Sequence, residues 1–306
     1  MKKIIILKHG GGELANQLWN YISIYAYGLE ISAEVQNPSF FEYHSHFNFL
    51  KNESPLTRFF SSWFRDSTAR RGSLKNRFWR NIYLILVRIM KPFSKNSWIS
   101  SENEMNQVVY IPPTSSLDFL DNVKIGYFSG WLFRNPVGLA KYRKNIISAF
   151  APSKDTEKRV EDIIQPLRKE YEKIIGIHLR QSDYRTFKGG DYFISQTRVK
   201  EIIDEFIQKN SIDKNRILFL MTSDGPIESG IFRNLNAYIS KENSVTDLFL
   251  LSSTDMIIGS DSSFGAFASW YGNIPHIIMT KNPIDWTYYA DKKKFFENKY
   301  GKMVNY

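Results

Sequence analysis

The sequence predicts an α/β fold made of two Rossmann-like lobes. A length of 306 residues favours two compact lobes over one. Short apolar runs alternate with segments of helical periodicity, which is typical of a mostly parallel sheet. Three polar clusters each follow an apolar run directly. Because ligands of such sheets bind at the carboxyl ends of the strands, these clusters predict a site in a cleft between the lobes.

The first lobe, predicted to span residues 1–152, opens with a β-α-β pattern. Residues 4–7 are a run of isoleucine and leucine that predicts a buried strand, and glycines at 10–12 predict a turn. Residues 33–36 begin a second strand. The helix between them is predicted by apolar residues at helical spacing: Leu14, Leu18, Tyr21, Ile22 and Tyr25.

The rest of this lobe is less regular. An aromatic loop is predicted near residue 45. The later segments predict a helix over 78–90, a strand and loop over 123–133, and a helix over 135–152.

The second lobe, predicted to span residues 153–306, has a clearer pattern. Helices are predicted over 155–172 and 195–210, and strands over 173–179 and 216–224. The second of these helices carries one apolar face, formed by Val199, Ile202, Ile203, Phe206 and Ile207. A helix, a strand, a loop and a helix follow, and the segment PHIIM predicts a further strand.

Composition narrows the classes of function. A formal net charge of +10 and a pI near 9.4 favour anionic partners, namely nucleic acid, anionic lipid or phosphate-bearing small molecules. No nucleic-acid-binding module is recognisable, so nucleic acid ranks low. The absence of cysteine excludes disulfides, thiolate metal sites and a cysteine nucleophile. The first apolar run is shorter than the roughly 7–15 residues of a signal peptide core, so we expect a cytoplasmic protein.

A strongly basic segment covers residues 65–95. Asp66 is its single acidic residue, whereas nine residues are basic: Arg65, Arg70, Arg71, Lys75, Arg77, Arg80, Arg88, Lys91 and Lys95. A basic amphipathic helix can lie on an anionic membrane surface, which predicts peripheral membrane association. A solvated basic face over an aromatic core helix explains the pattern equally well.

The first polar cluster consists of His178, Arg180 and Asp183, directly after a predicted strand. The planar guanidinium of an arginine suits bidentate binding of a phosphate or carboxylate. His178 could donate to the same anion or hold the loop. Asp183 could orient Arg180 or act as a base. The alternative is an ion pair that only fixes the loop.

The other clusters are weaker. Ser223 and Asp224 end the next strand, and Ser260, Ser262 and Ser263 lie where a strand turns into a helix. Helix-start amides and hydroxyls bind phosphate, although ordinary N-capping by serine explains them as well.

In the first lobe, Gly12, Asn16 and Gln17 belong to a glycine-rich turn that matches no dinucleotide or Walker motif. No D-x-D motif occurs, and His44 and His46 are a poor metal signal, so no metal requirement is inferred.

Four motifs in order resemble the bacterial α-1,2-fucosyltransferase-like group, glycosyltransferase family 11. Its GGLGNQ turn matches GELANQ from residue 12, and its H-x-R-R-x-D-Y motif matches HLRQSDY from residue 178. A Ser/Asp strand end matches TSD at 222–224. The closing motif, D-L-x-L-[ML]-S followed by S-x-F-S-x-W, matches DLFLLS and SSFGAFASW, which begin at Asp247 and Ser262.

The resemblance implies a GT-B fold and an inverting transfer of fucose from GDP-fucose without metal. Arg180 would bind the donor diphosphate and Asp247 the base. The acceptor would be a glycan or lipid-linked oligosaccharide in bacterial surface polysaccharide synthesis. The implied donor-site residues are Gly12, Asn16, Gln17, His178, Arg180, Ser223, Asp224, Asp247, Ser262, Ser263 and Phe264.

The base that would deprotonate the acceptor is left open between Asp183, Glu13 and Asp224. Departures from the family pattern occur at Glu13, Ala15, Gln181 and Gly265, which put the sugar and acceptor preference in doubt. Two alternatives therefore remain, another nucleotide-sugar donor on the same fold and a non-catalytic protein that binds anionic membranes.

Overall fold

The chain forms two compact units, each built on its own sheet. The computed structural model describes residues 2–8, 12–49, 55, 58–59, 74–90, 98–100, 108–111, 124–130 and 132–286. Among these, the first unit ends at Lys154 and the second begins at Asp155. The strand pairs described within each main sheet are parallel, so the predicted α/β class is confirmed.

The first unit contains a four-stranded sheet in the order β2-β1-β5-β3. Its strands are β1 (Lys3–Lys8), β2 (Glu34–Gln36), β3 (Trp98–Ser100) and β5 (Ile125–Ser129). A short parallel pair, β4 (Val109–Tyr110) and β6 (Phe133–Arg134), lies outside that sheet. The isoleucines of β1 form the predicted strand and pair with β2 and β5.

Four helices are described in the first unit: α1 (Leu14–Glu30), α2 (Leu74–Met90), α3 (Pro136–Lys141) and α4 (Arg143–Ala149). The predicted helix over 135–152 is in fact two helices. Tyr142 ends α3 and precedes α4 with backbone angles of φ −105° and ψ 18°, which interrupts the helical path there. Helix α2 packs beside β1, where the hydroxyl of Tyr83 donates to the carbonyl of Leu7.

A buried asparagine fixes the chain after β5. The amide nitrogen of Asn20 on α1 donates to the carbonyl of Gly130 at 3.1 Å, and its oxygen accepts from the backbone N–H of Phe133 at 3.1 Å. Asn20 is fully buried, so water cannot replace either bond. One side chain therefore satisfies two backbone groups where the chain leaves the sheet.

The second unit contains a five-stranded sheet in the order β11-β10-β7-β8-β9. The strands are β7 (Lys173–Leu179), β8 (Ile217–Ser223), β9 (Ala237–Ile239), β10 (Met256–Gly259) and β11 (His276–Ile278). The helices described are α5 (Lys154–Glu170), α6 (Gln196–Lys209), α7 (Ser244–Ser252) and α8 (Ser263–Gly272). Strand β9, which the sequence did not predict, forms the edge beside β8.

Burial on both faces explains why the strands of this sheet could be found from the sequence. Strands β7 and β8 are apolar almost without interruption, as expected for parallel strands covered on both sides. The predicted apolar face of α6 is confirmed, since all five of its residues are buried in the core that also holds Ile175, Ile177, Phe219 and Met221.

Within the described residues, no helix is both long and apolar enough to cross a bilayer.

The two hydrogen bonds of the Asn20 side chain predict a large loss of stability when that side chain is removed. In Asn20→Ala, two buried backbone groups lose their partners, which should lower the free energy of unfolding by about 2–4 kcal/mol. Denaturant unfolding would measure this. The matched control is Asn48→Ala in the same unit, which is exposed and should change stability by less than about 0.5 kcal/mol. Equal effects of the two substitutions would contradict the assignment.

Candidate functional site

Three neighbouring strands of the second unit bring polar groups to one edge of the sheet. Arg180 follows β7, Asp224 follows β8 and Ser260 follows β10, and β7 lies between the other two strands. The backbone N–H of Arg180 donates to the hydroxyl of Ser260 at 2.9 Å. The carboxyl edge therefore gathers the clusters that the sequence placed at strand ends.

Two carboxylates hold the guanidinium of Arg180. Its Nε donates to Oδ1 of Asp183 at 2.8 Å and its Nη2 to Oδ2 at 3.0 Å, a bidentate pair. Nε also lies 3.2 Å from Oδ2 of Asp224. The side chain of Arg180 is only 18% exposed, whereas that of Asp183 is 54% exposed. Hydrogen bonding to Arg180 lowers the pKa of Asp183, so this carboxylate is charged at neutral pH.

Asp224 also fixes the backbone that follows β7. Its Oδ1 accepts from the N–H of Gln181 at 2.6 Å and from the N–H of Ser182 at 3.2 Å, while the Ser182 hydroxyl donates to Oδ2. The side chain is 24% exposed. Asp224 thus shapes the turn that presents Arg180, a role that the sequence did not reveal.

His178, the last residue but one of β7, packs against the start of α8. Its ring stacks on Phe264 with centroids 5.0 Å apart, and its Nδ1 lies 3.4 Å from the hydroxyl oxygen of Ser262. Burial, together with the positive charge of Arg180, lowers the pKa of His178 to about 4. The ring is therefore neutral at pH 7 and adds no positive charge to the edge.

The start of α8 combines capping with a close approach to a second histidine. The hydroxyl of Ser262 accepts from the N–H of Gly265, so Ser262 is the N-cap of the helix, and Ser263 is its first residue. A Cβ atom on Gly265 would lie 2.8 Å from Cε1 of the buried His276. This contact explains why glycine occupies the position where the family pattern has serine.

Gln181 has a structural role. It is buried, and its Nε2 donates to the carbonyl of Ile194 at 3.2 Å. Its backbone N–H donates to Asp224, so residue 181 links the turn to the core beneath it. The departure at 181 thus concerns the interior of the second unit and leaves Arg180 at the edge.

An aromatic loop that the sequence reading missed follows Asp183. The hydroxyl of Tyr184 donates to the carbonyl of Asp261 at 2.7 Å, and its ring lies 5.8 Å from Cζ of Arg180. Phe187 stacks on Tyr184 at 5.8 Å and is exposed on its outer side. Aromatic residues recurring over 184–193 were the available signal. Tyr184 ties the loop to the segment before α8.

Asp247 lies at the far end of the same edge. It is buried on α7, and the Ser240 hydroxyl, directly after β9, donates to its Oδ1 at 2.5 Å. Burial raises the pKa of Asp247 to about 7. Because β9 is two strands from β7, and strands lie about 4.8 Å apart, the two ends are separated by roughly 10 Å.

The remaining predicted residues lie partly in the first unit. Gly12 has φ +74°, and a Cβ there would lie 2.5 Å from that of Asn16, so this position requires glycine. Gln17 is buried, and its Nε2 lies 3.4 Å from the carbonyl of Gly12, which it helps to hold. Glu13 is exposed. In the second unit, the hydroxyl of Ser223 accepts from the N–H of Gly225 at 3.1 Å.

Two features of the sequence reading remain to be placed. Residues 9–11 of the glycine-rich turn lie outside the described residues. His44 and His46 lie in a short 3₁₀ helix, and the described part of the chain contains no group of three acidic, histidine or cysteine residues suited to a metal ion.

Comparison with known proteins identifies the fold class. No known protein family profile matches the chain, and no curated protein matches it in sequence. Solved structures do match. FUT1 of Arabidopsis thaliana, a point mutant in complex with GDP, gives a TM-score of 0.55 at 14% identity, over 92% of this chain and 71% of that chain. POFUT1 in complex with GDP gives a TM-score of 0.55 at 12% identity, over 91% of this chain and 98% of that chain.

A third solved structure supports the same class. The NodZ α-1,6-fucosyltransferase soaked with GDP-fucose gives a TM-score of 0.51 at 12% identity, over 90% of this chain and 94% of that chain. The fold is therefore the GT-B type of these fucosyltransferases, as the resemblance in sequence implied.

The raised pKa of Asp247 predicts a pH-dependent stability. Its pKa is about 7 in the folded protein and about 3.8 in the unfolded chain. Between these pH values the folded protein binds more protons than the unfolded chain does, so its stability falls as the pH rises from about 4 to about 7. Asp247→Asn cannot ionise. The difference in melting temperature between this variant and the wild type should therefore increase, in favour of the variant, by several degrees from pH 5 to pH 8.

Differential scanning fluorimetry across that range would test this expectation. The exposed Asp162→Asn controls for the loss of one negative charge. A difference between Asp247→Asn and the wild type that stays constant with pH would contradict the assignment.

Proposed function

We propose that the chain is an inverting glycosyltransferase that moves L-fucose from GDP-fucose onto a hydroxyl of a glycan acceptor. The observation that carries this proposal is Arg180, an arginine held in place at the carboxyl edge of the second sheet within a GT-B fucosyltransferase fold. Of the compared structures, those of FUT1 and POFUT1 are complexes with GDP, and that of NodZ was soaked with GDP-fucose. A sugar-nucleotide diphosphate fits an arginine at this edge.

Arg180 would stabilise the leaving group. As the bond between fucose and the diphosphate breaks, negative charge builds up on the departing phosphate. A guanidinium that is already oriented stabilises this charge without reorganisation, and it requires no added metal. The first turn of α8, capped by Ser262 and beginning at Ser263, provides backbone amides and the positive end of the helix dipole on the neighbouring strand end.

The span of the edge fits the length of a nucleoside diphosphate. Arg180 follows β7, and Asp247 is bound by Ser240 directly after β9, two strands away. These strand ends are roughly 10 Å apart, so a diphosphate at Arg180 would allow the base to reach the side of the sheet where Asp247 lies. A carboxylate is a suitable acceptor for the ring and exocyclic N–H groups of guanine. This arrangement supports the assignment of Asp247 to the base and favours guanine over uracil or cytosine donors.

Binding of the diphosphate would exchange the partner of Arg180. Asp183 occupies Nε and Nη2, which form one of the two edges through which a guanidinium binds a phosphate with two hydrogen bonds, and it is the more exposed of the two acidic partners. Asp224 is fixed by two backbone N–H groups and the Ser182 hydroxyl. We infer that the donor displaces Asp183, while Asp224 remains in place.

The displaced carboxylate is the candidate base. Once released from Arg180, Asp183 loses the interaction that lowers its pKa and becomes a better proton acceptor for the acceptor hydroxyl. Asp224 accepts three hydrogen bonds and contacts Arg180, which makes it less available for this task. Glu13 lies in the first unit, exposed at the start of α1.

The acceptor and setting complete the proposal. A glycan or a lipid-linked oligosaccharide would be fucosylated in the cytoplasm during the synthesis of a bacterial surface polysaccharide. Another sugar linked to GDP is the second candidate donor, since the compared structures share only 12–14% of their sequence with this chain. Transfer assays with GDP-fucose and GDP-mannose would separate the two.

The role of Arg180 can be tested by GDP binding. Arg180→Ala removes two charge-assisted hydrogen bonds, so GDP affinity should fall about 100-fold and fucosyl transfer should be lost. Isothermal titration calorimetry without added metal would measure the affinity for GDP, UDP and CMP. The matched control is Arg185→Ala, an exposed arginine in the same loop, which should leave GDP affinity within about threefold.

Two outcomes would reject the proposed function. Unchanged GDP affinity in Arg180→Ala would remove the assigned role of this residue. A wild-type protein that binds none of the three nucleotides would favour the alternative of a non-catalytic protein.

The exchange of partners predicts opposite effects for the two aspartates. Asp183→Asn removes a charged competitor, so GDP affinity should rise severalfold while the turnover number falls by about 100-fold or more. Asp224→Asn weakens the turn that presents Arg180, so GDP affinity should fall about tenfold. Calorimetry and initial-rate assays on both variants would measure this. Weaker GDP binding in Asp183→Asn would show that Asp183 merely orients Arg180.

A further inference from the structure

Helix α2 presents a second apolar face to solvent. Phe78, Ile85 and Ile89 are 59%, 54% and 57% exposed. They lie seven and four residues apart, which puts them on one side of the helix. The opposite side of α2 is already used, since Tyr83 and Val87 are buried against the first sheet. The exposed side chains are therefore not needed for the core of the first unit.

The charge around this face indicates the kind of partner. Residues 65–95, which contain the helix, carry nine basic residues and one acidic residue. Among them, Arg80 pairs with Glu42 and so serves the fold, whereas Arg88 is exposed between Ile85 and Ile89 in sequence. An anionic lipid surface attracts such a basic segment through each lysine or arginine near the surface.

We propose that the outer face of α2, formed by Phe78, Ile85, Arg88 and Ile89, docks onto an anionic phospholipid surface. The helix would lie in the plane of the interface with its three apolar side chains among the acyl chains near the headgroups. Arg88 would extend its charged end to the lipid phosphates. This proposal does not depend on the proposed fucosyl transfer.

The inference is tested by co-sedimentation of the full chain with vesicles. Wild type should bind vesicles of phosphatidylglycerol and phosphatidylcholine in equal parts, and bind pure phosphatidylcholine at least tenfold more weakly. The double variant Ile85→Gln with Ile89→Gln keeps the net charge and a good helix former at each site, and should lose about tenfold or more of the binding. Arg88→Gln should lose about fivefold.

The matched control is Val137→Gln, an exposed apolar residue on α3 of the same unit, which should bind as the wild type does. Circular dichroism and thermal unfolding would show that each variant is folded. Equal vesicle binding by the wild type and the double variant would overturn the proposal. It would also be overturned if light scattering showed that the double variant converts a wild-type oligomer to a monomer, because the face would then join copies of the chain.

Discussion

The site depends on one constraint, the compensation of a largely covered positive charge at the end of a buried strand. Strand β7 brings the chain out of the core directly into Arg180, whose side chain is only 18% exposed. A guanidinium removed from water needs anionic partners, and Asp183 and Asp224 provide them. Asp224, directly after β8, binds the turn at 181–182. The hydroxyl of Ser260 accepts from the backbone N–H of Arg180 itself. An anion that replaced one carboxylate would meet a cation already oriented for it.

The two acidic partners differ in how firmly they are held. Asp224 is part of the turn through backbone N–H bonds, whereas Asp183 contributes a more exposed side chain from the next turn. The neutral state of His178 also matters. A charged His178 next to Arg180 would add a second positive charge, but that charge would be buried. Burial disfavours the charged ring and is the main cause of its low pKa, so His178 is neutral. Arg180 thus has one counter-ion that is fixed by the backbone and one that is more exposed.

Much of the second unit could be predicted from sequence, because strands buried on both faces read as apolar runs with polar ends. Strand β7, the buried face of α6 and the positions of Arg180, Asp224 and Ser260 follow from that pattern. Contacts between distant segments could not be predicted. Asn20 binds Phe133 across 113 residues, and the anchoring of the turn by Asp224 spans 43. Strand β9 is only three residues long and half-buried, which is too short for an apolar run to predict a strand, and the break at Tyr142 has no glycine or proline to mark it.

Packing also sets two of the positions next to this edge. Gln181 turns inward to the carbonyl of Ile194, and Gly265 leaves room for the ring of His276. Both residues serve the interior of the second unit, beside the backbone that carries Arg180 and starts α8. The same reasoning accounts for a shared fold at TM-scores of 0.51–0.55 with identities of only 12–14%. Cores of different sequence can keep one backbone when their volume and apolar pattern are preserved, so the fold allows most positions to change.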